Sequence, residues 1–149
     1  MKKYLLLAFL FPFMLQAQPD DHFVSKGFLI ILTTKDYDGA LKRAEEASQK
    51  LNLDLELRGL YPDEEMGLDT DEQCGCGEWH GYIARGRYDD GQYVSIEYTN
   101  FYNSFAEGYY IVIIGSGDRK ELKPLLKKAK VHYKDAYIKN SDVYIGCMH

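Results

Sequence analysis

The chain has 149 residues, with 18 Lys and Arg against 23 Asp and Glu, a formal net charge of −5. That sign argues against a nucleic-acid partner, whose phosphates require a basic footprint, and against overall adhesion to anionic lipid. The length suits one ordinary domain, and its thirteen tyrosines combine apolar area with a hydroxyl, suited to sheet surfaces and to carbohydrate or protein contacts.

Residues 1–17 begin with Lys2 and Lys3, continue as an apolar run from Tyr4 to Leu15, and close on the small residue Ala17. This charge, core and cleavage layout predicts a secretory signal peptide. The run falls short of the about 20 apolar residues that a spanning helix needs, so no membrane span is expected in the mature chain, residues 18–149. No cysteine follows the run, which sets aside a lipid anchor. The expected product is exported, periplasmic or secreted, and without Lys2 and Lys3 its net charge is −7.

The run Gly27-Phe-Leu-Ile-Ile-Leu-Thr33 predicts a buried strand. Thr34 and Asp36 offer capping oxygens, and Ala40, Ala44, Ala47 and Leu51 recur at helical spacing over residues 38–51. Leu53-Asp-Leu-Glu-Leu57 alternates with period two and predicts a half-exposed strand, completing a β-α-β unit. Residues 61–108 form an insertion. Its first part, Pro62 to Gly77, is acidic and glycine-dotted and predicts a loop. Its second part predicts a hairpin of 82–88 with 93–98, turning at Asp90-Gly91, with Tyr88 opposite Tyr93 and Arg85 opposite Ile96.

A second unit follows. Tyr109-Tyr-Ile-Val-Ile-Ile114 predicts a buried strand, and Asp118 with Glu121 a capping box. Leu122, Leu125, Leu126 and Ala129 form a helical stripe in which Pro124 requires either a late start or a kink. Residues 135–139 and 143–145 are candidate strands. Two β-α-β halves sharing one antiparallel sheet, with both helices on one face, predict a ferredoxin-like α+β sandwich carrying an inserted acidic loop and β-hairpin.

The stretch Tyr109-Tyr-Ile-Val-Ile-Ile-Gly-Ser116, its charged amphipathic helix, and Lys134-Asp-Ala-Tyr-Ile138 resemble the SPOR domain, a peptidoglycan-binding module. The resemblance covers the two units and implies two β-α-β halves that bind glycan strands on the sheet surface. Two residues before Gly115-Ser116, where that family commonly carries a glutamine that touches glycan, stands Ile113.

Cys74-Gly-Cys76 and Cys147 predict, outside the cytoplasm, a disulfide joining Cys147 to Cys74 or Cys76, with the third thiol free or paired between chains. Such a loop closure contributes about 4 kcal/mol. A zinc site drawing on the same thiols with His80 and His149 is a competing reading that the tight Cys-x-Cys spacing disfavours, and no metal is expected. Asp71, Glu72 and Glu78 would raise the thiol pKa, against a redox role. The acidic run from Asp63 to Glu72 fails the EF-hand template. No histidine has a Ser or Cys partner at catalytic spacing, so no catalytic residue, no cofactor and no enzyme activity are expected. Trp79, Tyr93, Tyr98 and Tyr110, with Arg85 and Arg87 as donors, are the candidate ligand-binding residues, for cell-wall glycan or a protein partner. The alternative for these aromatics is a packed secondary core.

Overall fold

In a computed structural model of the chain, residues 22–70 and 83–146 are described. Strand β1 (Phe23–Thr34) runs through the middle of the sheet, which is why its apolar run is continuous: Phe28 to Ile31 are buried toward both faces. Helix α1 (Tyr37–Leu51) starts where the caps place it. Thr34 Oγ1 accepts from the Asp36 amide at 3.1 Å, and Asp36 Oδ2 accepts from the Gly39 amide at 3.0 Å. Its buried face is Ala40, Ala44, Ala47 and Leu51, and it ends at Asn52 in the left-handed region, φ 53°.

Leu53–Leu57 departs from expectation. Among the described residues it forms only a parallel bridge, Leu55 to Val94, with Glu56 donating to the Val94 carbonyl and Val94 to the Asp54 carbonyl. Leu53, Leu55 and Leu57 nevertheless pack against the helix-side core. Their alternation recorded burial, not a ladder. The expected acidic loop also contains structure: β2 (Leu60–Asp63) and β3 (Gly67–Thr70) form a small antiparallel hairpin. Asp63 Oδ1 closes its turn, accepting from the amides of Glu65 at 2.8 Å and Met66 at 2.7 Å.

The expected hairpin of 82–88 with 93–98 is not formed. Residues 83–88 form no strand. The second limb becomes β4 (Ser95–Tyr98), antiparallel to β5 (Tyr110–Gly117), pairing Ser95 with Ile113 and Tyr98 with Tyr110. Gly91 bridges Ser116 instead of turning a two-stranded ribbon. Helix α2 (Leu122–Ala129) starts late, as Pro124 requires; its proline falls in the first turn, where an amide has no intrahelical acceptor. Asp118 caps the preceding turn by accepting from Lys120 at 2.6 Å, not through a box with Glu121. The two candidate strands at the end merge into one, β6 (Tyr137–Tyr144).

The sheet order is β4-β5-β1-β6, with every pairing antiparallel. The β1–β5 ladder shifts register twice, between Leu29 and Ile30 and between Ile30 and Leu32, giving bulges that bend the centre of the sheet. Both helices lie on one face, where Leu29, Ile31, Val112 and Ile114 meet Ala40, Ala44, Leu122 and Leu125. The chain is therefore an α+β fold, a four-stranded antiparallel sheet with two helices, consistent with a ferredoxin-like arrangement.

The opposite face is covered as well. Phe28, Ile30, Ile111, Ile113 and Val143 pack under Ala84, Phe101, Tyr102 and Phe105. The rings of Phe28, Tyr102 and Phe105 meet edge-on, at 5.1 Å for Phe28–Tyr102 and 5.4 Å for Tyr102–Phe105. Because both faces are closed, Ile113→Ala and Ile114→Ala, which point to opposite sides, are each expected to cost about 2–5 kcal/mol in urea unfolding. A loss at Ile113 far below that at Ile114 would show that the second cover contributes no packing.

Candidate functional site

The five candidate ligand-binding residues that are described, Arg85, Arg87, Tyr93, Tyr98 and Tyr110, do not converge. Arg85, expected as a donor to ligand, is wholly buried, and the correction follows from what surrounds it. Its Nε donates to Ser116 Oγ at 3.1 Å, and one terminal nitrogen donates to the Tyr93 carbonyl and Ser95 Oγ, each at 2.9 Å. The other donates to the Gly91 carbonyl at 2.9 Å, and the guanidinium lies 3.5 Å from the centre of the Tyr93 ring. Burial lowers the Arg85 pKa from its usual value, opposed by the nearby Tyr93 and Glu97; the group remains a cation.

The balancing carboxylate is Glu97, also wholly buried. One oxygen receives Arg58 at 2.6 Å, the other the Tyr102 hydroxyl at 3.1 Å and the Arg85 amide at 3.3 Å. Tyr93 is held in the same assembly through its hydroxyl, which donates to Asp89, and burial pushes its pKa well up. These groups fasten residues 83–102 onto the sheet. Their donors point inward and leave a ligand nothing to bind.

Tyr98 and Tyr110 stand at another end of the sheet, half-buried and 5.1 Å apart ring to ring. The Tyr98 ring lies against Gly67, whose φ of +80° and close approach admit no side chain. The Tyr110 hydroxyl donates to the Gly67 carbonyl at 2.9 Å, so both tyrosines secure the β2–β3 hairpin. Trp79, Cys74, Cys76 and Cys147, with His80, His149 and residues 1–17, where a signal peptide is expected, lie outside the described residues. Among the described residues no group of three His, Cys, Asp or Glu could hold a metal ion.

Of the described candidates, Arg87 alone sits against an aromatic cluster at the sheet margin, and its own side chain is buried, 9% exposed. The register that sets Phe23 opposite Tyr144 brings the start of β1 to the end of β6. Phe23 and Tyr144 meet at 5.3 Å, and His22 lies edge-on to Tyr144 at 5.8 Å. The Arg87 guanidinium is 5.1 Å from the centre of Tyr144 and 5.0 Å from that of Tyr88, and it donates to the Gly146 carbonyl. Its Nε is buried with no hydrogen-bond partner. Tyr88 is 70% exposed, Phe23 43% and Ile145 40%. Phe23, Tyr144 and Tyr88 thus form a row of rings around a buried cation, and the exposed rings of Phe23 and Tyr88 can stack planar or sugar-like surfaces.

Sequence reasoning reached Arg87 and, for the mistaken hairpin, Tyr88; it missed Phe23 and Tyr144. Their signal was present only as one aromatic ahead of the first predicted strand and one inside the last, 143–145, and pairing alone makes them neighbours. Ile113, where the SPOR pattern carries its glycan-touching glutamine, is fully buried under the second cover. Compared with family models, curated proteins and solved structures, the chain matches none of them.

Removing the charge of Glu97 would strand two guanidinium groups beside a buried amide. Glu97→Gln is expected to lower unfolding free energy by about 3–5 kcal/mol, the cost of breaking a buried pair from one side. A loss below about 1 kcal/mol, as for an exposed pair, would remove the fastening role assigned to this network.

Proposed function

We propose that this chain is an exported, non-catalytic binding module with a ferredoxin-like, SPOR-like arrangement of two β-α-β halves, and that it binds cell-wall glycan. The strand order supports the fold reading. Counting β1, β4, β5 and β6 as the four strands of two units gives the spatial order 2-3-1-4, with each helix following the first strand of its unit. The leader-like residues 1–17 support export.

The observation that carries the binding reading is the aromatic row of Phe23 and Tyr88, both exposed, and the half-buried Tyr144, packed around the buried Arg87. Sugar rings present apolar C–H faces that stack on such aromatics. On this reading, contact lies at the end of the sheet. The face used by the SPOR family is closed here by Tyr102 and Phe105. A second reading rests on a separate observation: β6 is a sheet edge eight residues long, a template for strand addition by a protein partner.

Purified peptidoglycan sacculi provide the test. Wild-type protein is expected to co-sediment with sacculi, and Phe23→Ala with Tyr88→Ala to weaken retention about tenfold, the loss of two stacking rings. The melting temperature should fall only slightly, because Tyr88 is 70% exposed and Phe23, 43% exposed, lies at the sheet margin. Folded wild-type protein that stays in the supernatant would end the glycan reading, and a co-purifying protein released by Asn140→Pro, in the middle of the edge strand, would favour the second.

A further inference from the structure

The charge of this chain is unevenly placed. Residues 119–134 hold seven of the eighteen Lys and Arg and one carboxylate, Glu121, a local net of +6 that leaves the other residues at −11. On α2, burial of Leu122, Leu125 and Ala129 against the sheet turns Lys123, Lys127 and Lys130 outward. Lys120 precedes them and Lys134 follows, both exposed. Among the described residues none of these five lysines is ion-paired.

Fold stability does not account for this row. Lys123 and Lys127, and Lys127 and Lys130, are like-charged neighbours at the four- and three-residue spacings that weaken a helix. Lys120 and Lys123 sit at the helix N-terminus, the end where the macrodipole disfavours cations; only Lys127 and Lys128 gain from it. Beside Lys130, at the end of the row, Val131 is 75% exposed. An exposed apolar side chain next in the chain to an exposed lysine suits the boundary of a bilayer, where lysines reach the headgroups and a small hydrophobe enters the acyl edge. A soluble polyanion offers Val131 nothing.

The geometry points to the outer surface of α2 as a docking face for an anionic phospholipid bilayer, on which the protein lies peripherally. The interaction is local and runs against the net charge: the acidic remainder orients the molecule with α2 toward the lipid. No spanning segment is involved, and among the described residues no helix is long and apolar enough to cross a membrane. The face is distinct from the aromatic row, which lies where β6 ends, whereas Val131 precedes the start of β6.

Co-sedimentation of the full chain with phosphatidylglycerol vesicles and with phosphatidylcholine vesicles tests this, at low and at high salt. Each lysine near an anionic surface is worth about fivefold in partitioning, so K123Q/K127Q/K130Q should weaken phosphatidylglycerol binding about a hundredfold. Residues outside α2 cancel in the wild-type to variant ratio, and circular dichroism should report an unchanged helix. High salt should abolish the preference for phosphatidylglycerol. The proposal is overturned by equal binding to both vesicles, by phosphatidylglycerol binding that the triple variant retains, or by retention on dextran sulfate beads without vesicle binding. Sacculus retention of K123Q/K127Q/K130Q should match wild type, which separates this face from the glycan reading.

Discussion

A buried guanidinium decides how this chain closes. Moving an isolated cation out of water costs far more than any single hydrogen bond returns, so Arg85 is tolerable only where its donors are filled. They are filled by acceptors from Gly91, Tyr93, Ser95 and Ser116, and its charge is balanced by Glu97 on β4. Gly91, Tyr93 and Ser95 lie in the same segment as Arg85, and Ser116 Oγ with the Ile113 carbonyl on β5 ties that segment to the sheet. Buried ion pairs are weak evidence of net stability, and here the consequence is a fixed placement of the cover.

That placement redirects function. A four-stranded sheet with helices on one side ordinarily leaves the other side free for a ligand. Here Phe28, Tyr102 and Phe105 interlock on that side, and Ile113 lies beneath them. What remains open is at the margins: the ring row where β1 begins and β6 ends, the outer edge of β6, and the exposed surface of α2. Fold and binding surface are separable, so likeness in strand order does not carry the contact face with it.

The legible parts of the sequence were those fixed by local chemistry. Ala40, Ala44, Ala47 and Leu51 can be read as one face of α1 because period and capping are contained within sixteen residues. The apolar runs of β1 and β5 declare themselves for the same reason. Pro124 called for either a late start or a kink, and α2 takes the late start. The partner of residues 93–98 was not legible. Asp90-Gly91 signals a tight hairpin locally, but β5 offers a longer ladder, and Arg85 takes the carbonyls of Gly91 and Tyr93 for itself. Leu53–Leu57 misled because alternation reports burial on one side, which a single bridge beside Val94 also satisfies. Of the candidate site, composition revealed that aromatics and arginines were plentiful between residues 79 and 110. Which of them face water is a question of tertiary placement: Arg85 and Arg87 are both buried, while Tyr88 beside them is 70% exposed.

Net charge failed in a similar way, by averaging. A value of −5 describes how the molecule behaves at distances beyond the screening length, and on that basis an anionic partner is disfavoured. Within about 8 Å, the screening length at physiological salt, a partner senses only the face it approaches. On α2 that face is a row of lysines, while the acids Asp63, Glu64, Glu65 and Asp69 belong to the β2–β3 hairpin. Segregating charge in this way sacrifices helix stability at Lys123 and Lys127, so the arrangement is retained against the fold's own preference. A surface that the fold alone would not favour is the place to look for a partner.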